Sequence, residues 1–202
     1  MGEFQIMKRL NDYRDEIHAA MAQWWVDIET KKRLYRNVGE LVALIHSEAS
    51  ESLEGHRKNL DDDHCPGLKN DVVELADVLI RCFDFAGGFR LDLDQWSGPV
   101  TSIGQSLPGT WDCWDTLSGV LDVPDNFGEA ITRLHTVVGM IYVEHNRPMS
   151  ATFVCATIAY TIMICQKFGM SIDEAFTAKM VYNGIREDHT HEHRRGEHGK
   201  KF

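Results

Sequence analysis

Four acidic side chains occur in two short pairs, each on a segment with helical periodicity. The first pair is Glu48 and Glu51, within LVALIHSEASESLEGHR, and the second is Glu74 and Asp77, within NDVVELADVLIRCFDFAGG. Residues three apart lie on one face of an α-helix, so each pair presents its two carboxylates together. Carboxylates grouped in this way can bind a cation or exchange a proton with a bound molecule.

The surroundings of the four acids are apolar. On the first helix the acids fall within, or at the edge of, a stripe formed by Leu41, Leu44, Ile45 and Leu53. The second helix is apolar almost all round, with one polar stripe formed by Glu74, Asp77, Arg81 and Asp84. Burying ionised carboxylates is costly unless a cation compensates them, and an all-oxygen ligand set favours Mg²⁺ over Mn²⁺ or Ca²⁺. The alternative is two pairs of acids on solvated helix faces, which is common for a single such pair.

The order ExxE, spacer, ExxD resembles the signature of the all-α nucleoside triphosphate pyrophosphohydrolases. This superfamily includes MazG-like proteins, dimeric dUTPases and phosphoribosyl-ATP pyrophosphatases. The segment KMVYNGIR, which holds Lys179, Asn183 and Arg186, and the closing HGKKF resemble the end of MazG-like chains. The resemblance covers about residues 36–90 and 172–202. One departure is Ser47, since many members carry a further Glu directly before ExxE.

The resemblance implies an Mg²⁺-dependent enzyme, with Mn²⁺ a possible substitute, that cleaves a (d)NTP to (d)NMP and pyrophosphate. It implies that the metal-binding and catalytic residues are Glu48, Glu51, Glu74 and Asp77. Glu51 is our candidate for the general base. Our candidate substrate-binding residues are Lys179, Asn183, Arg186 and Trp25. Both Trp24 and Trp25 could stack on a base; the alternative for each is a role in the core, which is more frequent for large aromatics on an amphipathic helix.

Composition narrows the function classes. The chain has 202 residues and a formal net charge of −10, which argues against a general binder of nucleic acid or of anionic membranes. It has five cysteines without a CxxC pair, and no secretory signal or long apolar span. We therefore expect buried free thiols and a cytoplasmic location, with neither nucleic acid nor a membrane as a partner. The resemblance implies a nucleoside triphosphate as the partner, and a homo-oligomer is compatible with it.

Helical periodicity dominates the chain, so we predict a single all-α domain over residues 1–202. A long helix is predicted over residues 5–30 and a first carboxylate helix over 37–58, with Asn37 as its N-cap. A second carboxylate helix is predicted with Asn70 as its N-cap and its end at Gly87–Gly88. The predicted units are a catalytic repeat over about 10–95, a linker over about 96–124, a degenerate repeat over about 125–170, and a C-terminal helix with a basic tail over 171–202.

The two repeats are found by aligning the chain with itself. At an offset of 89 residues, Asn37, Gly39, Glu40, His46 and His56 match Asn126, Gly128, Glu129, His135 and His145. The second helices align at an offset of 81, and the four acids correspond to Val137, Met140, Cys155 and Ile158. We therefore predict two tandem helical hairpins that form an internal pseudo-dimer with one catalytic site. Chance similarity between two helical hairpins is the alternative.

Other functions and other sites stay open at this point. A dUTPase-like enzyme of the same fold, a non-catalytic nucleotide- or metal-sensing module and a purely structural helical adaptor are the alternatives. The His-rich run His189–His193 could bind a transition metal, although a solvated tail explains it more simply. The run Asp61–Asp63 lacks the spacing of a calcium loop, and we predict that it is solvated.

Overall fold

The computed structural model describes residues 9–27, 29–95, 122–146 and 150–186. In these ranges the chain forms a 3₁₀ turn, Ala22–Trp25, and six α-helices: α1 (Leu10–Ala20), α2 (Val38–Lys58), α3 (Asn70–Phe89), α4 (Phe127–Glu144), α5 (Ser150–Lys167) and α6 (Ile172–Ile185). The pairing of extended chain found there is limited to two isolated bridges, Val26 with Arg33 and Asp61 with Lys69. The prediction of an all-α fold is therefore confirmed for these ranges.

Two predicted segments lie wholly or largely outside this description. They are the linker, of which residues 96–121 are not described, and the tail that contains His189–His193. Within the described ranges, no helix combines the length and the apolar character that crossing a membrane requires. The four cysteines in those ranges are buried free thiols, as predicted.

Helix α3 is the centre of the fold because nearly all of its surface is apolar. It is contacted by α1, α2, α5 and α6, and residues such as Val73, Leu75 and Ala76 have no exposed surface. Contacts of α2 with α4 and of α4 with α5 complete a ring of four helices, α2, α3, α5 and α4. The polar stripe on α3 is consequently carried into the interior of the protein.

Helices α2 and α4 begin in the same way. The side chain of Asn37 accepts a hydrogen bond from the backbone N–H of Glu40, at 3.1 Å, and Asn126 accepts one from Glu129, at 3.0 Å. Such an N-cap stabilises a helix by satisfying a backbone donor that has no partner within the first turn. The predicted cap at Asn37 is therefore confirmed.

Helices α2 and α4 pack antiparallel. Three pairs meet across the contact: Gly39 with Tyr142, His46 with His135, and Leu53 with Gly128. The residue number rises along α2 as it falls along α4, which defines the direction. At the middle pair the two imidazole rings stack, with 2.7 Å between their Nδ1 atoms.

The prediction of one long helix over residues 5–30 is wrong within the described part of the chain. Helix α1 ends at Ala20, and the backbone is extended by Val26, with φ −128° and ψ 141°. Trp24 and Trp25 are adjacent, yet only 8% and 5% of their surfaces are exposed. Neighbouring residues of an α-helix point about 100° apart, so a helix on the surface does not bury both easily. The turn from helix to 3₁₀ geometry directs both indoles inward.

The predicted end of α3 at Gly87–Gly88 is also wrong. The helix continues to Phe89, and the left-handed residue that follows it is Arg90, with φ 55°. The two glycines serve close packing instead. A Cβ atom at Gly88 would lie 2.0 Å from the Trp25 ring, and one at Gly87 would lie 2.4 Å from the Cβ of His18. The residues around α1 can therefore approach α3 only because side chains are missing here.

Candidate metal centre

Three of the four predicted acids converge between α2 and α3. Glu48 from α2 and Glu74 and Asp77 from α3 each offer a carboxylate oxygen, and these oxygens lie within 4.8 Å of one another. Carboxylate oxygens bind Mg²⁺ at about 2.1 Å, so oxygens grouped this closely could share one ion. Only 7% of the surface of Glu48 and of Glu74 is exposed. The donor atoms and their burial therefore fit a divalent cation.

Close packing of α2 on α3 holds two of these acids together. Ser52 is fully buried and donates its hydroxyl to the carbonyl of Asp71, at 2.8 Å. One turn later, a Cβ atom at Gly55 would lie 2.2 Å from Oδ1 of Asn70. The absence of a side chain at position 55 therefore lets the first residue of α3 lie directly against α2.

Asn70 orients Glu74. Its amide nitrogen donates to Oε1 of Glu74 at 3.0 Å and to Oδ2 of Asp62 at 3.2 Å. We predicted Asn70 as the N-cap of α3, but the cap is Lys69 and Asn70 is the first residue of the helix. The side chain of Asn70 is thus directed to the acids and not to the helix terminus.

The prediction that the run Asp61–Asp63 is solvated is wrong for Asp62, which is buried. Its carboxylate is buried and accepts backbone hydrogen bonds from His64 and Cys65, at 2.9 and 2.7 Å. These bonds close a tight turn before α3, whereas the flanking Asp61 and Asp63 are exposed. Asp62 is therefore a fixed anchor for Asn70, which in turn holds Glu74.

Replacing Gly55 by alanine should weaken metal binding. The added methyl group would collide with Asn70, and displacing Asn70 removes the hydrogen bond that orients Glu74. Loss of such a supporting contact typically costs about 10- to 100-fold in metal affinity, so we expect about tenfold weaker Mn²⁺ binding by calorimetry. The matched control is Gly139→Ala in α4, where a Cβ atom meets nothing within 4 Å. Parent affinity in a folded Gly55→Ala protein would show that Asn70 does not position Glu74.

Glu51 lies outside the group of three. It is exposed, and its Oε1 accepts a hydrogen bond from the hydroxyl of Ser47, at 2.9 Å. The expectation that all four acids are buried is therefore wrong for Glu51, because this residue falls at the solvent edge of the apolar stripe on α2. The charge of Glu51 still acts on the other acids, because it contributes to the raised pKa of Glu48 and of Glu74.

Two cations lie at the acids. Arg81 donates from Nε to Oε1 of Glu48 at 3.0 Å, and its Nη2 lies 3.0 Å from the same oxygen. Nζ of Lys179, from α6, lies 2.9 Å from Oδ2 of Asp77. In the described ranges Glu74 forms no ion pair within 4 Å, and Asn70 is its hydrogen-bond donor. Two of the three carboxylates are thus compensated by the protein's own cations.

Burial raises the pKa of all three carboxyl groups. For Glu48, Arg81 opposes this effect and the charges of Asp77 and Glu51 add to it. For Asp77, Lys179 opposes it. For Glu74, burial and the charges of Asp77 and Glu48 raise the pKa to about 8, against the opposing charge of Lys179. Without a bound cation Glu74 should therefore hold a proton at neutral pH, and a divalent ion would replace that proton.

A cleft opens beside Asp77, between α3, α6 and the segment around the 3₁₀ turn. The cleft is open to solvent, and its empty space of about 700 Å³ includes that open part. Its polar wall consists of three arginines, one asparagine and two aspartates: Arg36, Arg81, Arg186, Asn183, Asp77 and Asp84. Its apolar wall consists of Met21, Trp24, Leu41 and Ile80. Positive charge beside apolar surface suits an anionic ligand that has a flat apolar part.

The predicted residues of α6 face this region. Lys179 reaches Asp77, while Asn183 and Arg186, four and seven positions further along, line the cleft. The guanidinium of Arg186 also lies over the ring of Tyr182, with 5.1 Å from Cζ to the ring centroid. The face of α6 predicted from the sequence is therefore directed at the acids and the cleft.

Trp25 does not line the cleft. Its indole N–H donates to both carboxylate oxygens of Asp84, at 2.9 and 3.1 Å, and Nδ1 of His18 lies 2.8 Å from the same carboxylate. Asp84 had been expected to face a cation, together with the other acids of its stripe, but these protein groups satisfy it. Trp24 lines the cleft instead. The sequence shows two adjacent tryptophans and no signal for which of them borders open space, and it gave no indication of Arg36.

No known family model, curated protein or solved structure matches this chain. The chemistry of the site itself must therefore carry the functional argument. A buried group of carboxylates can hold a divalent cation, and the adjoining cleft can hold an anion beside that cation. Together these features suit a metal-assisted reaction of a phosphorylated ligand.

Proposed function

We propose that this protein is an Mg²⁺-dependent nucleoside triphosphate pyrophosphohydrolase of MazG-like type, which cleaves a (d)NTP to (d)NMP and pyrophosphate. The observation that carries the proposal is the buried group of Glu48, Glu74 and Asp77 beside a cleft with cationic and aromatic walls. A nucleotide has the matching chemistry, with anionic phosphates at one end and a flat base at the other. The resemblance of ExxE and ExxD to the pyrophosphohydrolase signature selects the reaction.

Glu48, Glu74 and Asp77 would hold Mg²⁺, or Mn²⁺ in its place. When bound, the ion would neutralise phosphate charge and lower the pKa of a coordinated water. Glu51 lies at the solvent edge, one turn from Glu48, and its Oε1 accepts a hydrogen bond from the Ser47 hydroxyl. It is therefore a carboxylate that could accept a proton from water, which fits our expectation of Glu51 as general base.

The cleft would hold the rest of the nucleotide. Lys179 and Arg186 would contact the phosphates, and Asn183 would donate to phosphate or sugar. We assign the aromatic wall to Trp24 in place of Trp25, because Trp24 borders the cleft and Trp25 is bound to Asp84. Trp25 would then act indirectly, by fixing the turn that presents Trp24.

We further propose that the two hairpins form an internal pseudo-dimer with one metal centre. The α2–α4 contacts support this arrangement because they are reciprocal at the offset of 89 residues: His46 meets its own counterpart, and the pairs Gly39 with Tyr142 and Leu53 with Gly128 exchange under it. The counterparts of Glu48, Glu74 and Asp77 are Val137, Cys155 and Ile158, which are buried and cannot bind Mg²⁺. The second hairpin would thus support the first without a metal of its own.

The test is product analysis by ³¹P NMR with a panel of ribo- and deoxynucleoside triphosphates, with Mg²⁺ and with excess chelator. We expect stoichiometric NMP and pyrophosphate in Mg²⁺ and neither product in chelator. Turnover confined to dUTP would select the dUTPase-like alternative. Nucleotide binding without turnover would favour the sensing module. If the protein neither binds nor hydrolyses nucleotides, the structural adaptor is favoured. Release of inorganic phosphate and NDP would contradict the proposed reaction.

A further inference from the structure

Lys179 occupies an unusual place for a lysine. Its side chain is only 4% exposed, and its Nζ lies 2.9 Å from Oδ2 of Asp77. The charges of Asp77, Glu74 and Asp62 favour the ammonium form of Lys179 and raise its pKa, against the opposing effect of burial. A buried lysine normally needs such partners, since burial of an unpaired ammonium is costly. Lys179 is therefore part of the charge balance of the acid group.

Arg81, the second cation at the acids, is placed differently. Its side chain is 39% exposed and it already borders the cleft, so its guanidinium can stay partly hydrated if it leaves Glu48. The side chain of Lys179 is only 4% exposed, so its ammonium group depends on protein or ligand partners more than the guanidinium of Arg81 does. A divalent ion held by Glu48, Glu74 and Asp77 would repel an ammonium group that remained at hydrogen-bonding distance from Asp77. The ion and Lys179 therefore compete for the same carboxylate.

We propose that Lys179 is an exchangeable counter-ion of the metal centre: binding of a divalent cation breaks its pair with Asp77 and redirects the ammonium group to the phosphates of a ligand in the cleft. The inference rests on the proposed function, and it adds a regulatory coupling between the metal and the anionic ligand. Metal binding would prepare the anion site, and the anion would stabilise the displaced lysine.

The position of Lys179 on α6 supports this exchange. Asn183 and Arg186 follow it on the same face and line the cleft, so a lysine turning away from Asp77 stays beside groups suited to phosphate. The flexible four-carbon stem allows the ammonium group to move while the helix stays in place. A lysine displaced without an anion would lose its direct partner Asp77 and gain none in its place, so the two binding events should favour each other.

The direct test observes the ammonium group in the full-length parent protein. Lysine side-chain ¹⁵N spectra should contain one signal protected from solvent exchange, assigned to Lys179 by its absence in Lys179→Met. We expect this signal to vanish as Mg²⁺ is added, and the loss of signal should be half complete at the Mg²⁺ concentration that half-saturates the metal centre. If Lys179→Met does not fold, side-chain-to-backbone correlations in the parent protein assign the signal. A signal that persists unchanged at saturating Mg²⁺ would overturn the proposal.

A second test measures Mn²⁺ affinity without nucleotide. Coupling between two binding events is typically about 5- to 150-fold, and we expect Lys179→Met to bind Mn²⁺ about tenfold more tightly than the parent. The control is Lys167→Met, because Lys167 pairs with the exposed Asp125. Unchanged or weaker binding in folded Lys179→Met would overturn the exchange. If the parent binds neither Mg²⁺ nor Mn²⁺ through its carboxylates, the metal centre itself fails; if it binds metal while the lysine signal stays, only this inference fails.

Discussion

Replacing Glu74 by glutamine should nearly abolish Mg²⁺-dependent turnover and, at the same time, make the metal-free protein more stable. The loss of turnover follows because an amide is a poor ligand for Mg²⁺, and a metal ion supplies several kcal/mol of transition-state stabilisation. At 1.36 kcal/mol per tenfold, we expect kcat to fall by about 10²- to 10³-fold. Glutamine keeps an oxygen that can accept the hydrogen bond from Asn70.

The gain in stability follows from the raised pKa of Glu74, which is about 8 in the folded chain against an ordinary value of 4.5. A carboxyl group with a raised pKa holds its proton in the folded state and loses it on unfolding, so stability falls as the pH rises from about 4.5 to about 8. Glutamine has no such dependence. The two proteins should be equally stable near pH 4, and the variant should be more stable by on the order of 3 to 5 kcal/mol above pH 8.

Thermal unfolding across this pH range, in chelator, measures the difference. For a chain of this size the gain at pH 8 corresponds to a rise in Tm of roughly 6 to 20 °C. The control is Glu54→Gln, because Glu54 lies on the exposed face of α2 and pairs with Lys58. It should change neither turnover nor the pH dependence of Tm. A Glu74→Gln protein with parent turnover would remove Glu74 from the metal centre, whatever its stability.

The second large effect is expected from replacing Lys179 and Arg186 together by alanine. Charge-assisted hydrogen bonds to phosphate contribute about 1.5 to 3 kcal/mol each. Loss of both should therefore lower kcat/KM by about 10²- to 10⁴-fold at saturating Mg²⁺. Part of the loss should appear in KM, since these residues bind the ground state, and part in kcat, since they also orient the phosphates.

The matched control removes two cations that lie elsewhere. Arg57 and Lys58 are exposed at the end of α2 and pair with Glu54. Their double alanine variant changes the net charge of the chain by the same amount, so it separates a general electrostatic effect from a contact in the site. Equal kinetics in the two double variants would show that Lys179 and Arg186 form surface or structural pairs without contact to substrate.

The helices and their faces could be predicted because they depend on local periodicity and local caps. The caps at Asn37 and Asn126, for example, each need only a side chain and a backbone N–H three residues later. The meeting of Glu48 with Glu74 and Asp77 followed from apolar stripes that both helices must bury. The caps and the buried helix faces could be predicted because each depends on the residues of one helix alone.

Features that depend on contacts between distant segments were missed. Asp62 is buried because Asn70 and a tight turn provide donors for it, which its place in an acidic run did not indicate. Glu51 is exposed although it shares a helical face with Glu48, because three positions along the helix moves it to the edge of the contact. The end of α3 was misplaced because a glycine that admits Trp25 looks the same in a sequence as one that ends a helix.

Calorimetric titration of Mg²⁺ and Mn²⁺ into the parent protein and into a Glu48→Gln, Asp77→Asn variant tests the metal centre most directly. We expect the single cluster of Glu48, Glu74 and Asp77 to account for all tight metal binding in the parent. Metal binding should release protons, because the raised pKa of Glu74 leaves this group protonated at neutral pH in the metal-free protein. The variant should show no tight binding. Binding of parent affinity in the folded variant would place the metal elsewhere in the chain and would contradict a centre at Glu48, Glu74 and Asp77.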